Sequence, residues 1–360
     1  MKEKGELKMA QKFITVDAGK HATKAASYNP ETKKTQKFTF CTKIGEGDFR
    51  DDSIERNTYI AEINGEVYKI GNGARGDGAK LETSKQSIDH RLCTLFAIAY
   101  FCSDDEVDEV NVAVGLPAKE WAVVQKREDF KEYIFPTGET SVTIKLSSTN
   151  EPVTKRFTIR HKYVFPESIG ALFQDDSPKV SKNSFYGVLD IGNLNLNATV
   201  WEGTELQQDI SITDELGASS LIQGLSQELT SRFSRCSENY VAKLLALPPE
   251  KRFLRPNNGN EEEIMKVMEE SKEFIKEYLL EHAHRIKRCC DGRKWSLDYM
   301  HLIAIGGTSI ILKDELKQVF GESLHILHCQ TFANALGFLR MMCIREPEIG
   351  EVIAFDFEGK

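Results

Sequence analysis

The chain has 360 residues, 40% of them hydrophobic and 28% charged, enough for two cores and too apolar for a disordered chain. A formal net charge of −8 argues against broad, direct binding to DNA phosphates and leaves room for a local basic patch. No apolar run reaches the ~18–20 residues that span a bilayer, which argues against a membrane protein. The polar opening "MKEKGELKMA" lacks a signal-peptide core, and Met9 stands as an alternative start to Met1. The eight cysteines are scattered without a Cys-x-x-Cys pair, which fits reduced thiols in the cytoplasm; Cys289 and Cys290 read as structural.

In chain order, residues 12–17 and 22–28 read as a hairpin, followed by a strand at 36–42. The first strand ends on Asp17, turns at Gly19 and returns through Lys24. "EVYKIGNGARGDGAK" (66–80) is a short strand and a Gly-rich loop, and without a Gly-Lys-Ser/Thr ending it reads as a surface loop. "SIDHRLCTLFAIAYFCS" (87–103) has an apolar face at helical spacing, with Ser87 as N-cap. "EVNVAVGLP" (109–117) is a buried strand, 141–147 and 153–160 alternate like a hairpin, and "FPESIGALFQ" (165–174) is a turn into a helix.

The opening pattern then returns. "FYGVLDIGNLNLNATVWEG" (185–203) is again an apolar strand ending on Asp-x-Gly, with Asp190 and Gly192 about 170 residues after Asp17 and Gly19. That spacing predicts two related halves. A Gly-led helix covers 215–233, and 247–260 is a Pro/Asn/Gly loop. Residues 261–290 form the strongest helix, with an acidic start and a basic end that complement its dipole. Ile264, Val267, Met268, Phe274, Ile275, Tyr278 and Leu279 line its predicted core side. "MHLIAIGGTSIIL" (300–312) is a buried strand running into Gly306-Gly307-Thr308, and "NALGFLRMM" (334–342) is a final apolar helix free to return to the first half.

A strand ending in Asp-x-Gly brings a carboxylate and backbone N–H groups to one point, and the glycine leaves room for a large anion. Two such hairpins suit a polyphosphate gripped from both sides. Asp17 and Asp190 then suit a hydrated Mg²⁺, which keeps several waters and takes one or two carboxylates, while Lys24 offers its ammonium to the phosphates. Glu167 follows Pro166 at the expected helix start, where position alone favours a capping role. His282/His284 and His325/His328/Cys329 lack complete metal-ligand spacing and read as surface or packing residues.

The set "VDAGKHATK", "PESIGAL", "LDIGNLNLN", "ELGASS", "IAIGGTS" and "NALGF" resembles the actin/heat-shock-chaperone/sugar-kinase ATPase fold across about residues 12–342. Gly115-Leu116-Pro117 and Pro166-Glu167-Ser168 are similar to the ParM-type plasmid-segregation actins. The resemblance implies an α/β actin-like fold of two related domains, each a mixed sheet flanked by helices, with nucleotide in the cleft between them. Domain I would take 1–184 and 331–360, and domain II 185–330. By the same resemblance, Asp17, Gly19 and Lys24 form the first phosphate loop, and Asp190, Gly192 and Asn193 the second. Gly217, which leads the following helix, also binds nucleotide, and Gly306, Gly307 and Thr308 form the adenosine-side loop. Glu167 orients the attacking water. Lys20 stands where many relatives carry small or hydroxyl residues, and either adds a phosphate contact or projects to solvent. Asn193 and Asn195 replace the more usual Gly-Gly-Thr-Thr-like run and can still donate to phosphate oxygens. The implied function is a cytoplasmic, filament-forming ATPase or GTPase using Mg²⁺ and ATP or GTP. It would segregate plasmid DNA indirectly, through a ParR-type DNA-binding adaptor. A small-molecule kinase of the same fold and a cell-shape actin are the alternatives.

Overall fold

In the computed structural model, residues 12–30, 32–51, 54–75, 84–104 and 106–345 are described. Met9 and the glycines at 76–80 lie outside them. The chain forms two units, Met1–Gln174 with Phe332–Lys360, and Asp175–Thr331. Segment 175–184 belongs to the second unit, where the Tyr186 hydroxyl donates to Lys179 O (2.9 Å).

Unit 1 starts with β1 (Lys12–Ala18), β2 (Ala22–Asn29), β3 (Lys34–Cys41), β4 (Ile44–Glu46), β5 (Thr58–Ile63) and β6 (Glu66–Gly71). Helix α1 (Ile88–Phe101) follows, then β7 (Val107–Leu116), α2 (Ala118–Trp121), α3 (Val124–Ile134), β8 (Glu139–Lys145) and β9 (Val153–Pro166). The nine strands form one mixed sheet in the order β3-β2-β1-β7-β9-β8-β5-β6-β4. β1, β7 and β9 run parallel to their neighbours in this set, and β1–β2 is an antiparallel hairpin.

Strand side chains alternate between faces, so a strand buried on both sides reads as a continuous apolar run. β1 is such a strand. Ile14 and Val16 join Leu92 and Phe96 of α1 in one core cluster. Thr15, between them, donates to Ala335 O at 2.8 Å on the sheet's other side. Ser87 caps α1 as the sequence predicts, its hydroxyl accepting from His90 N.

Unit 2 contains β10 (Phe185–Ile191), β11 (Leu196–Glu202), β12 (Glu205–Leu206), β13 (Ile212–Asp214), α4 (Ala218–Arg232), α5 (Glu238–Leu245), α6 (Glu261–Gly292), β14 (Met300–Ile305), α7 (Gly307–Ile311), α8 (Lys313–Phe320) and β15 (His325–Ile326). Its sheet runs β12-β11-β10-β14-β15, with β13 also on β11. The chain then returns to unit 1 as α9 (Ala333–Arg345). No helix among the described residues is long and apolar enough to cross a membrane.

The structure departs from the sequence reading at several elements. β5, α3 and α5 went unread. No α-helix follows Glu167: β9 runs to Pro166, and a 3₁₀ helix covers Ile169–Phe173. The ladder continues through Glu167 N–H to Leu116 O (2.8 Å), and Ser168 takes left-handed geometry (φ 73°), which blocks a regular helical entry. α6 ends in Asp291-Gly292, with no basic residue in its last turn. Lys287 and Arg288 instead pair with Asp291 (3.0 Å) and Glu281 (2.6 Å). Its buried stripe, Ser271, Ile275, Leu279, His282, Ala283, Ile286 and Cys290, shares Ile275 and Leu279 with the predicted side and runs further along the helix, while Val267, Phe274 and Tyr278 pack against the same core half-buried. An Asn260–Glu263 capping box fixes its start.

Candidate functional site

Because β1, β7 and β9 are parallel, their carboxyl ends gather at one edge of the unit 1 sheet, the usual place for ligand sites in α/β folds. Asp17, Gly115-Leu116 and Pro166-Glu167 are those ends. Gly115 lies beneath Asp17: a Cβ there would meet Phe338 at 2.9 Å and the Asp17 carboxylate at 3.5 Å.

Three charged side chains meet here out of water: Lys85 is 5% exposed, Asp17 7% and Glu167 8%. Lys85 Nζ lies 3.5 Å from Asp17 Oδ1 and forms an ion pair with Glu167 Oε1. Burial raises the Asp17 pKa, but the ammoniums of Lys85 and Lys24 outweigh it and leave the carboxyl below its ordinary value. Glu167 lies above its ordinary value, because its burial outweighs the Lys85 attraction. Burial lowers the Lys85 pKa, and the two carboxylates more than reverse that. Asn334, at the start of α9, accepts from Ser168 N at 2.9 Å and also hydrogen-bonds the Asp17 carboxylate. Glu167 thus sits in an ion pair after a strand, and the capping reading falls with the helix it required.

Lys24 faces Asp17 across the hairpin, and its ammonium lies 3.3 Å from where a Cβ on Gly19 would stand. Lys20 is half-buried in the same loop. His90 on α1 is fully buried, with Nδ1 2.8 Å from Ser87 Oγ. Burial, then the charges of Lys85 and Lys20, push its pKa down to about 3, so the imidazole is neutral.

Unit 2 repeats the backbone bond that closes the hairpin. Gly19 N–H donates to Ala22 O (3.1 Å), and Gly192 N–H donates to Asn195 O (2.9 Å). A threonine hydroxyl holds each loop: Thr42 donates to Gly19 O (2.6 Å), and Thr308 to Gly192 O (2.7 Å). Asp17 pairs across its hairpin with Lys24, Asp190 with Asn197. The strand beside each hairpin, β7 or β14, is parallel to its first strand.

The second loop rests on α4. N–H groups of Gly217, Ala218 and Ser219 donate to Leu194 O (3.2 Å), Gly192 O (3.1 Å) and Asn193 O (2.7 Å). Asn193 Nδ2 donates to Ser219 Oγ (3.1 Å). Asp190, Asn193 and Asn195 are half-buried. Gly306 has φ 88°, and a Cβ there would meet Ile191 O at 2.3 Å, so β14 can leave beside the loop only through glycine. Gly307 is exposed, and Thr308 is buried with its hydroxyl committed to the loop.

The structure therefore gathers Asp17, Gly19, Lys24 and Glu167 within unit 1, and Asp190, Gly192, Asn193, Asn195, Gly217, Gly306 and Thr308 within unit 2. Sequence reasoning missed Lys85, His90 and Asn334. Lys85 had one faint signal, a lysine two residues before an N-cap serine. Asn334 lay inside the quoted "NALGF" without an assigned role. Among the described residues no group of three or more His, Cys, Asp or Glu side chains is placed to hold a metal. His328 Nδ1 instead pairs with Asp176 (2.6 Å), and His282 Nε2 meets Leu216 O (3.3 Å) inside the core.

Residues 15–170 match the family model of the actin-like proteins' N-terminal domain. Solved structures extend the likeness to nearly the whole chain, and the fold is actin-like. The Alp12 filament structure is 23% identical with a TM-score of 0.68, covering 94% of this chain and 99% of that one. A 15-stranded ParM filament from Clostridium botulinum is 18% identical with a TM-score of 0.67, covering 92% and 99%. The archaeal actin homologue Ta0583 in complex with ADP is 16% identical with a TM-score of 0.66, covering 91% and 98%. No curated protein matches the sequence.

Proposed function

We propose that the protein is a ParM-type actin, a nucleotide-dependent filament former that hydrolyses ATP or GTP. The observation that carries this reading is the duplicated Asp-x-Gly hairpin, closed by the same backbone bond in both units. Each loop presents a carboxylate, a glycine, and a cationic or amide side chain across the hairpin. Asp17, Gly19, Lys20 and Lys24 bind phosphate from unit 1. Asp190, Gly192, Asn193 and Asn195 bind it from unit 2. Gly217 and Thr308 keep the second loop in shape, and Gly306-Gly307 passes on the adenosine side.

The donor set suits Mg²⁺: hard carboxylate oxygens, few in number, with Asp17 held ionised. Asp17 and Asp190 would hold the ion through water, and when bound it would neutralise phosphate charge. Glu167 orients the attacking water. Solved relatives described as filaments support self-assembly. A DNA-binding adaptor of ParR type is the partner that lets an acidic chain act on plasmid DNA in the cytoplasm.

Sedimentation with Mg²⁺ and ATP, GTP, ADP or no nucleotide tests the reading. Pelleting with a triphosphate is expected, with much less in the diphosphate. Asp17→Ala and Asp190→Ala are expected to lose nucleotide binding and pelleting while staying folded. Normal pelleting of both variants overturns the paired loops, and a protein that hydrolyses nucleotide yet stays monomeric points to a kinase.

A further inference from the structure

The Lys85 ammonium lies between two carboxylates at the ends of parallel strands, and nothing in the phosphate-loop pattern asks for it. A buried ion pair is a poor source of stability, because desolvation offsets the attraction. Here Lys85 is shared between two buried carboxylates, and Lys24 supplies a second positive charge from the hairpin side. The arrangement is better explained by what it does to Glu167.

The backbone around that residue is fixed on three sides. Glu167 N–H donates to Leu116 O (2.8 Å), Ser168 N–H to Asn334 Oδ1 (2.9 Å), and the 3₁₀ segment beyond packs on α9. The carboxylate is carried on three side-chain torsions, and among the described residues its ion pair is with Lys85, the largest attractive charge acting on it. Lys85 is itself anchored, two residues before the Ser87 cap that starts α1.

We propose that Lys85 is a positioning residue for hydrolysis, its ammonium holding the Glu167 carboxylate in one orientation beside the Asp17 loop. The proposal rests on the nucleotide reading above. Glu167 is the nearer partner of Lys85, and Asp17 keeps the Lys24 ammonium when Lys85 is changed, so Lys85 matters when water must be aligned and little when nucleotide binds. Misplacing an aligned group costs about 10²-fold in rate.

Lys85→Met keeps the buried stem and removes the charge. Single-turnover phosphate release is expected to slow by about 10²-fold. Fluorescent-nucleotide titration with Mg²⁺ is expected to give a Kd within about threefold of wild type, since a uniform binding role would move affinity instead. Adding Lys85→Met to Glu167→Gln is expected to slow release no further, because both changes act on one unit. Circular dichroism checks the fold, and Lys85→Gln replaces Lys85→Met if the latter does not fold.

A wild-type rate in a folded Lys85 variant overturns the proposal. So does a double variant slower than Glu167→Gln by the full Lys85→Met factor, or a parallel loss of affinity and rate. Failure of both Lys85 variants to fold makes the ammonium a structural support and also overturns it. If wild-type protein binds and hydrolyses no nucleotide, the functional reading itself falls. Normal wild-type hydrolysis with normal Lys85 variants removes the Lys85 assignment alone.

Discussion

Ser168 follows the candidate catalytic carboxylate in a backbone region that L-residues avoid, and its buried hydroxyl has no partner. Such geometry costs about 1–3 kcal/mol and persists where the surroundings over-determine it. Glycine would relieve the strain and remove the orphaned hydroxyl, while adding about 0.5–1 kcal/mol of unfolded-chain entropy. Ser168→Gly is therefore expected to leave the melting temperature unchanged or slightly raised. Phosphate release is expected to slow by about tenfold as the Glu167 backbone loosens. A lowered melting temperature with normal release would show that the serine serves packing alone. At this scale the sequence was legible where chemistry is written locally. Asp17, Gly19 and Lys24 lie within eight residues, and Asp190 and Gly192 repeat the pattern. Lys85 and Asn334 were not legible, because the folded sheet alone brings residues so distant in sequence to Asp17.

The 3₁₀ helix and α9 meet backbone to backbone. A Cβ on Gly337 would stand 2.1 Å from Gly170 O, and one on Gly170 would stand 2.7 Å from Asn334 Cα. Neither neighbour is a flexible side-chain end, so the elements must move apart to admit a methyl group. Gly337→Ala is expected to destabilise by about 1–3 kcal/mol or more, although alanine favours helix in isolation. Urea unfolding checks this, and an unchanged midpoint would contradict the close contact. Such approaches explain which elements could be read. α9 is legible from its apolar composition. The segment at 165–174 was read as an α-helix because its apolar spacing fits one, while the contact with α9 selects the tighter turn. The α6 core side was legible at Ile275 and Leu279, with Val267, Phe274 and Tyr278 packed against the core, while its continuation through His282 and Cys290, less obvious candidates, was not.

Each unit carries one buried neutral histidine, His90 in unit 1 and His282 in unit 2. Burial is the largest cause in both, with pKa values pushed down to about 3 and about 4. Unfolded histidine takes a proton near pH 6.5, while the folded groups stay neutral well below it. The unfolded state then holds more protons, so stability falls as pH falls from about 6.5 toward about 4, by up to about 1.4 kcal/mol per pH unit for each histidine. Asp17, with its lowered pKa, adds loss at more acid pH, and Glu167, with its raised pKa, opposes it. His90→Asn with His282→Asn is expected to flatten the profile between about pH 6.5 and 5, read from denaturant midpoints. An equally steep profile in the double variant would mean that other groups carry the acid sensitivity.

The order in which the chain is made gives α9 another significance. Unit 2 is a continuous stretch, Asp175–Thr331, so all its strands and helices are available before α9 is synthesised. Unit 1 begins first and finishes last. Its β1 lacks the Ala335 partner of Thr15, and its carboxylate cluster lacks Asn334, until the ribosome has passed those residues. A nascent chain therefore carries a finished second loop while the first still waits for its far end. The half-site with the candidate catalytic carboxylate is completed only once almost the whole described chain exists, and shorter translation products lack its full machinery.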